Sequence, residues 1–239
     1  ARTFTGYNVV DNAHFSDGAA DARRRADQIR TELRLPDRYF LAIGRFIPKK
    51  NYPFLLNAFA AYRGRVSSPI DLVILGDGPL DQDLRACRSR LGLEDCVHLP
   101  GFKQYEDLPL YYGLADAFVH TSLREQWGLV VNEAMAAGLP VIVSERCGCV
   151  PDLIRPGVNG FSFDPEDADA LASHLQTVSE DADLRDTMGT VGKEIVSEWT
   201  PASFARQLIR AAQAAQTHRT QAGGSSSFRS LVTEALLQR

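Results

Sequence analysis

Short apolar runs alternate along this chain with longer segments in which apolar residues recur every three or four positions. Six of the runs have the length and the β-forming residues typical of buried strands, and they begin near Tyr39, Asp71, Cys96, Ala117, Val141 and Phe161. The segments between them have the periodicity of helices that bury one face. Strands that alternate with helices favour a parallel sheet, so the pattern predicts an α/β fold with one doubly wound, six-stranded, Rossmann-like sheet.

Helices on either side of this region are predicted from residue type and capping. Good helix formers over residues 19–33 predict an Arg-rich helix capped by Asp17, after a short extended piece at residues 7–11. Asp164 and Pro165 predict the start of another helix, and two more are expected over residues 181–196 and 201–216. Residues 223–227 are glycine and serine and predict a flexible linker.

Two glutamates lie near the carboxyl ends of predicted strands, the edge at which open α/β sheets bind ligands. Glu125 is in the loop after the fourth strand, and Glu133 is in the helix that follows Gly128. The first N–H groups of that helix, near Leu129 and Val130, have no acceptor within the helix and suit a phosphate group. A carboxylate can also accept two hydroxyl hydrogen bonds at once.

Basic residues follow the first predicted strand on the same edge. Arg45 and Lys50 leave that strand together, and Lys49 is a second candidate by proximity. A planar guanidinium group and a compact ammonium group can approach a diphosphate from different directions. The pair therefore suits a diphosphate, although basic residues in a loop are by themselves more often simply solvated. Their position on the same edge as Glu125 and Glu133 favours the diphosphate.

The stretch from Glu125 to Pro140, EQWGLVVNEAMAAGLP, resembles the signature of family 4 glycosyltransferases, retaining enzymes with the two-domain GT-B fold. The resemblance implies that Glu125 contacts the donor sugar and that Glu133 binds the ribose hydroxyls of the nucleotide. Arg45 and Lys50 are similar to a basic pair that grips the donor diphosphate in that family.

Other segments extend the resemblance or depart from it. Asn51 stands where the family usually has glycine, but asparagine also tolerates left-handed backbone. Asp152 replaces a glutamate at the end of a glycine-rich loop. The turn at residues 76–79, GDGP, resembles a turn after the second strand in the family, and we expect its role to be mainly structural. A further loop, which contacts the nucleobase largely through backbone groups, corresponds to Gly101, Phe102 and Lys103.

The resemblance covers residues 7–216 and matches only the carboxyl-terminal, donor-binding half of a GT-B enzyme. It implies sugar transfer, with retention, from a UDP-, GDP- or ADP-linked donor to an acceptor hydroxyl, with Glu125, Arg45 and Lys50 as catalytic residues. The half that binds a sugar or lipid-linked acceptor would precede residue 1, so we expect no transfer by this chain alone. We expect an interdomain connection with the Arg-rich helix at 1–37, the nucleotide-sugar-binding domain at 38–199, and a helix with a flexible tail at 200–239.

Two alternatives to a transferase are a non-catalytic nucleotide-sugar binding module and a nucleotide-sugar epimerase of the same architecture. Asp-x-Asp triplets at 81–83, 167–169 and 181–183 lie at predicted helix starts, where acids offset the helix dipole, so we expect no metal site. We expect no cofactor besides the donor substrate. His120 ends a strand near Glu125, where it either contacts ligand or packs as a hydrogen-bonded ring.

Composition narrows the partners and the compartment. The 239 residues are 44% hydrophobic and carry a net charge of −4, which gives no reason to expect nucleic acid as a partner. No apolar run approaches the roughly 20 residues that span a bilayer. Four cysteines are too few for a disulfide scaffold. We expect a cytoplasmic protein with free thiols, and peripheral association with the inner face of the membrane is left open.

Overall fold

The computed structural model describes residues 6–221, with side chains described as far as residue 216. The chain divides into two units, of which Asn8–Thr200 is one. The described part of the other comprises residues 6–7 and the helix Pro201–Gln221, and in it the ring of Tyr7 meets that of Phe204 edge-on at 5.7 Å. The predicted linker at 223–227 lies outside the described residues.

The larger unit is built on a six-stranded parallel sheet. The strands are β1 (Tyr39–Ile43), β2 (Asp71–Leu75), β3 (Val97–Gly101), β4 (Ala117–His120), β5 (Val141–Ser144) and β6 (Gly160–Phe163). Their spatial order is β3-β2-β1-β4-β5-β6, and every neighbouring pair is parallel. The direction of winding changes between β1 and β4, which is where such sheets bind ligands. The predicted fold class is confirmed.

Helices cover both faces of this sheet. They are α1 (Asn12–Arg24), α2 (Ala26–Leu33), α3 (Tyr52–Arg63), α4 (Asp81–Arg90), α5 (Leu108–Leu114), α6 (Leu129–Ala136), α7 (Val150–Leu153), α8 (Ala168–Glu180) and α9 (Ala182–Ser197). The other unit contains α10 (Pro201–Gln221). Short 3-10 helices span Pro48–Lys50 and Tyr105–Asp107. Side chains alternate along each strand, so Tyr39 and Leu41 belong to one apolar core with α1, α5 and α6, and Phe40 and Ala42 to a second core with α3 and α8.

Two predicted helix starts were wrong. The first helix begins at Asn12, and its cap is Asp11, whose carboxylate accepts the N–H of His14, and not Asp17. Gly18 lies inside α1, where an added Cβ would come 2.5 Å from Pro109 of α5. The absence of a side chain at this position therefore permits the two helices to pack closely. At the other end of the unit, α8 begins at Ala168 with Asp167 as its cap, later than the predicted start at Asp164.

Two findings concern the described helices and the cysteines. None of the described helices is long and apolar enough to cross a membrane. All four cysteines are buried free thiols. Burial raises the pKa of the Cys147 and Cys149 thiols to about 12, so both are neutral and poor nucleophiles near pH 7.

Candidate functional site

The loop that presents Glu125 is held by the loop that follows β5. Glu125 and Cys147 form an isolated parallel bridge, and the N–H of Gly148 donates to the carbonyl of Glu125 at 3.0 Å. A Cβ on Gly148 would lie only 2.0 Å from the carbonyl oxygen of Gln126. The two loops therefore approach so closely that residue 148 must be glycine, and together they continue the sheet beyond β4 and β5.

Glu125 forms ion pairs with both lysines that follow β1. Its Oε2 atom lies 2.6 Å from Lys50 Nζ, and its Oε1 atom lies 3.3 Å from Lys49 Nζ. The side chains of Glu125 and Lys50 are each 14% exposed, whereas that of Lys49 is 49% exposed. Burial opposes ionisation of Glu125, but the hydrogen bonds and charges of the two lysines outweigh it and lower the pKa of the carboxyl. Glu125 is therefore a carboxylate at neutral pH.

The turn that carries these lysines is fixed by its backbone. Asn51 has φ 58° and ψ 35°, the left-handed conformation that the sequence indicated asparagine could adopt here. Its side-chain amide donates to the carbonyl of Pro165 at 3.1 Å. The carbonyl of Lys50 accepts the hydroxyl of Thr121 at 2.9 Å, and the carbonyl of Lys49 accepts the N–H of Leu123 at 2.8 Å. The end of β1 and the end of β4 are thus joined behind the ion pair.

Of the two alternatives for His120, ligand contact or a packed and hydrogen-bonded ring, the structure shows the second. It is buried at the end of β4, with Nε2 3.2 Å from the hydroxyl of Ser122 and 4.0 Å from Glu125 Oε2. Burial and the charge of Lys50 lower the pKa of His120 to about 3, with Glu125 acting in the opposite direction. The ring is therefore neutral and lies behind the Glu125 carboxylate.

The N-terminus of α6 lies beside this group. Gly128 precedes the helix with φ 100°, and an added Cβ there would be 3.6 Å from both Glu125 Cγ and His120 Nε2. The N–H groups of Leu129 and Val130 have no backbone acceptor among the described residues, as expected in a first helical turn. Two free donors at the positive end of a helix dipole therefore lie next to the Glu125 loop.

Glu133 is the fifth residue of α6 and is largely buried. Its Oε2 atom accepts the hydroxyl of Tyr112 at 2.9 Å. Burial raises the pKa of Glu133, while the Tyr112 hydrogen bond and the nearby His14 act to lower it. The sequence indicated Glu133 but not these partners, because nothing in the patterns of α1 and α5 shows which of their polar residues face α6.

Arg45 lines a separate part of the same edge. It contributes to a cavity of about 180 Å³ whose lining includes Asp77, Phe102 and Lys103. Phe102 is 59% exposed, and Lys103 Nζ lies 5.8 Å from the centre of the Tyr111 ring. The structure thus brings Arg45 together with the predicted nucleobase loop, and Lys50 together with Glu125.

The Asp-x-Asp triplets lie at helix starts, as the sequence predicted. The carboxylates of Asp167 and Asp181 accept N–H groups in the first turns of α8 and α9. Asp81 lies in the first turn of α4 and pairs with Arg85. These carboxylates therefore stabilise the first turns of their helices.

Comparison with known proteins places the chain in a family. The family model of the glycosyl transferases group 1 matches residues 24–195. The chain is 32% identical over 188 residues to the amylovoran biosynthesis glycosyltransferase AmsK of Erwinia amylovora, covering 76% of this chain and 46% of that protein. It is 30% identical over 197 residues to a GDP-mannose-dependent phosphatidylinositol monomannoside mannosyltransferase of Mycobacterium tuberculosis, covering 79% and 50%. The chain therefore spans about half the length of these curated relatives.

Solved structures agree with this assignment. Anabaena HepE in complex with UDP is similar with a TM-score of 0.76 and 25% identity, over 87% of this chain and 56% of that one. Sucrose-phosphate synthase of Thermosynechococcus elongatus is similar with a TM-score of 0.70 and 29% identity, over 80% and 49%. The C-terminal domain of a group 1 family protein of Francisella tularensis shares the fold over 92% of its length, with a TM-score of 0.65 and 24% identity. This chain belongs to the group 1 glycosyl transferases.

Proposed function

We propose that this chain binds a nucleotide-diphosphate sugar at the carboxyl edge of β1 and β4 and forms the donor-binding half of a retaining glycosyltransferase. The observation that carries the proposal is the convergence of Lys49 and Lys50 on Glu125 beside the N-terminus of α6. Two ammonium groups on one carboxylate leave a net positive charge. Arg45, for which no ion pair is found among the described residues, adds a second positive charge at the same edge.

The diphosphate would lie over Arg45, Lys50 and the N–H groups of Leu129 and Val130. The free N–H groups of a helix N-terminus bind phosphate, and a guanidinium and an ammonium group bind phosphate oxygens with charge-assisted hydrogen bonds. The same cations would stabilise negative charge on the diphosphate as it leaves the sugar. The proposal does not need a metal ion, because these groups supply the neutralising charge.

The nucleobase would occupy the cavity beside Gly101, Phe102 and Lys103, and the ribose would bind Glu133. Relatives differ in the nucleotide that their names give, since the Mycobacterium tuberculosis protein is GDP-mannose-dependent and HepE was solved with UDP. UDP-, GDP- and ADP-linked sugars are therefore all candidate donors for this chain.

Glu125 would face the sugar. Its carboxylate is held in place by two lysines and by the backbone bridge to Cys147, which suits a group that must accept sugar hydroxyls in a fixed position. The acceptor, a sugar or a lipid-linked sugar, would bind a further domain. That the relatives are about twice as long supports this division.

Calorimetry with UDP, GDP and ADP tests the binding half of the proposal. Glu133→Ala and Lys50→Ala should each weaken the preferred nucleotide about tenfold to a hundredfold, because each removes a hydrogen-bonding charged partner. Lys49→Ala is the matched control for Lys50, since Lys49 pairs with the same carboxylate but is far more exposed and should lose less. Unchanged affinity in both Glu133→Ala and Lys50→Ala would refute the site.

Activity assays separate the transferase from its alternatives. Joined to an acceptor-binding domain, this chain should transfer sugar with retention of configuration, which product NMR would show. Epimerised donor without acceptor consumption would indicate a nucleotide-sugar epimerase. Nucleotide binding with neither reaction in that two-domain protein would indicate a binding module.

A further inference from the structure

Tyr112 is the only described side chain whose polar atom is hydrogen bonded to Glu133. It lies in α5 and is 0% exposed. Its ring packs edge-on against Phe15 at 5.6 Å and lies tilted against Phe118 at 5.7 Å. The hydroxyl lies 2.9 Å from Glu133 Oε2 and 3.3 Å from the carbonyl oxygen of Val130. Both acceptors of the hydroxyl therefore belong to α6.

We propose that Tyr112 is a positioning residue that fixes the carboxylate of Glu133 so that its other oxygen faces the ribose hydroxyls. This inference rests on the proposed function of Glu133. A phenylalanine would fill the same apolar space, so packing alone does not account for the hydroxyl. Burying a hydroxyl is unfavourable unless it is hydrogen bonded, and the acceptor here is the carboxylate that the nucleotide needs.

The electrostatics make Tyr112 a constant donor. Burial and the nearby Glu133 raise the pKa of Tyr112 well above its ordinary value, so the hydroxyl keeps its proton. It is therefore available to donate to Glu133 near and above neutral pH. With Oε2 occupied by this donor, Oε1 remains to accept from a ligand.

Other groups that face Glu133 come from two further elements. His14 of α1 lies near it and favours its charged form. Tyr105, in the 3-10 helix Tyr105–Asp107, stacks on His14 at 4.5 Å, and burial together with the charge of Glu133 raises the pKa of its phenol. Among the described residues, no lysine or arginine forms an ion pair with Glu133. Tyr112 is thus the main group that opposes the effect of burial on Glu133.

Tyr112→Phe should raise the pKa of Glu133, because the donor that stabilises the carboxylate is lost while the burial remains. Once protonated, Glu133 accepts hydroxyl hydrogen bonds poorly. The affinity of Tyr112→Phe for nucleoside diphosphate should therefore fall below the wild-type value, by up to about tenfold, and the difference should grow as the pH is lowered from about 9 to about 6. A purely structural loss would weaken binding equally across that range.

Tyr39→Phe is the matched control. Tyr39 is also fully buried, and its hydroxyl donates to the backbone carbonyl of Tyr111 at 2.7 Å. Tyr39 is the first residue of β1, so it lies at the edge of the sheet opposite to the proposed site. Both variants lose one buried hydrogen bond. Only Tyr112→Phe should change nucleotide affinity and its pH dependence.

The measurements are a carbon-13 NMR titration of the Glu133 carboxyl, assigned with Glu133→Gln, and calorimetry with the nucleoside diphosphate preferred by the wild-type chain. A higher Glu133 pKa and pH-dependent weakening in Tyr112→Phe alone would support the inference. An unchanged Glu133 pKa, or weakening of the same size at every pH, would overturn it. Nucleotide binding by the wild-type chain would still support the proposed function. A wild-type chain that binds no nucleoside diphosphate would overturn the proposed function, and with it the role of Tyr112 toward ribose.

Discussion

Replacing Gly148 by alanine should damage both the stability of the fold and the proposed nucleotide-sugar site. The added Cβ would lie 2.0 Å from the carbonyl oxygen of Gln126, whereas real Cβ contacts essentially never fall below 3.0 Å. The clash is with backbone, so no side-chain rotation relieves it, and the two loops must separate by about 1 Å. Gly148 does not have positive φ, so the whole effect comes from this contact.

The size of the effect follows from what the separation breaks. The N–H of Gly148 donates to Glu125, and the N–H of Cys149 donates to Trp127 at 3.2 Å. Overpacking with the strain of these two bonds should cost about 2 to 4 kcal/mol. For a chain of this size that lowers the Tm by roughly 5 to 15 °C. Because Glu125 and the start of α6 belong to the displaced loop, nucleotide-sugar affinity should fall about tenfold or more.

Two other glycines of the same unit supply controls. An added Cβ on Gly189 of α9 would lie 2.2 Å from the carbonyl oxygen of Gly138, so Gly189→Ala should be comparably destabilised but bind nucleotide normally when folded. On Gly192 the nearest atoms are 3.7 Å away, and Gly192→Ala should be neutral or slightly stabilising. Thermal melts and calorimetry below the Tm measure both quantities. The reasoning is refuted if Gly148→Ala is as stable as Gly192→Ala, or binds nucleotide as well as Gly189→Ala.

Further outcomes follow from the same geometry. Glu125→Ala should leave free nucleoside diphosphate affinity near the wild-type value, because it frees Lys50, yet abolish transfer in the two-domain enzyme; a loss of affinity as large as that of Glu133→Ala would contradict this division of roles. Turnover of that enzyme should persist in excess chelator, and full dependence on manganese or magnesium would contradict the proposal. This chain alone should transfer sugar far more slowly than about 1 per second, which a donor-consumption assay would check. Burial lowers the pKa of His120 to about 3 in the folded state, so below about pH 6.5 the unfolded chain binds more protons than the folded one. The free energy of unfolding of the wild type should therefore fall by about 2 kcal/mol more than that of His120→Gln between pH 7 and pH 5. Urea denaturation at the two pH values measures this difference.

The fold could be predicted from the chain because its periodicities and its topology agree. Apolar runs such as the one in β5 are too short for helices, and the helical segments between them force parallel pairing. Parallel pairing in turn places every loop that follows a strand on one edge. That is why the loops with Lys50 and Glu125, 75 residues apart in the chain, could be assigned to one site before their contact was known.

Helix starts were less predictable. Asp11 and Asp17 are both acceptable caps for α1 by residue type, as are Asp164 and Asp167 for α8, so residue type alone did not select between them. α1 extends through Gly18 because α5 lies close against it there, a contact between residues 91 positions apart. Local propensity disfavours glycine in a helix by about 1 kcal/mol, and tertiary packing outweighs it.

The residue types determined which chemistry this protein can offer, and the tertiary structure determined which groups offer it together. Lys50, Glu125 and Glu133 could be singled out from the sequence because they lie near the predicted ligand-binding edge of the sheet and in segments that resemble a family signature. That Lys50 pairs with Glu125 and that Tyr112 donates to Glu133 depends on the angles between elements and on side-chain direction, which neither period nor motif encodes. A hydrogen bond is decided within a few tenths of an ångström, and that precision exists only once the helices have packed on the sheet.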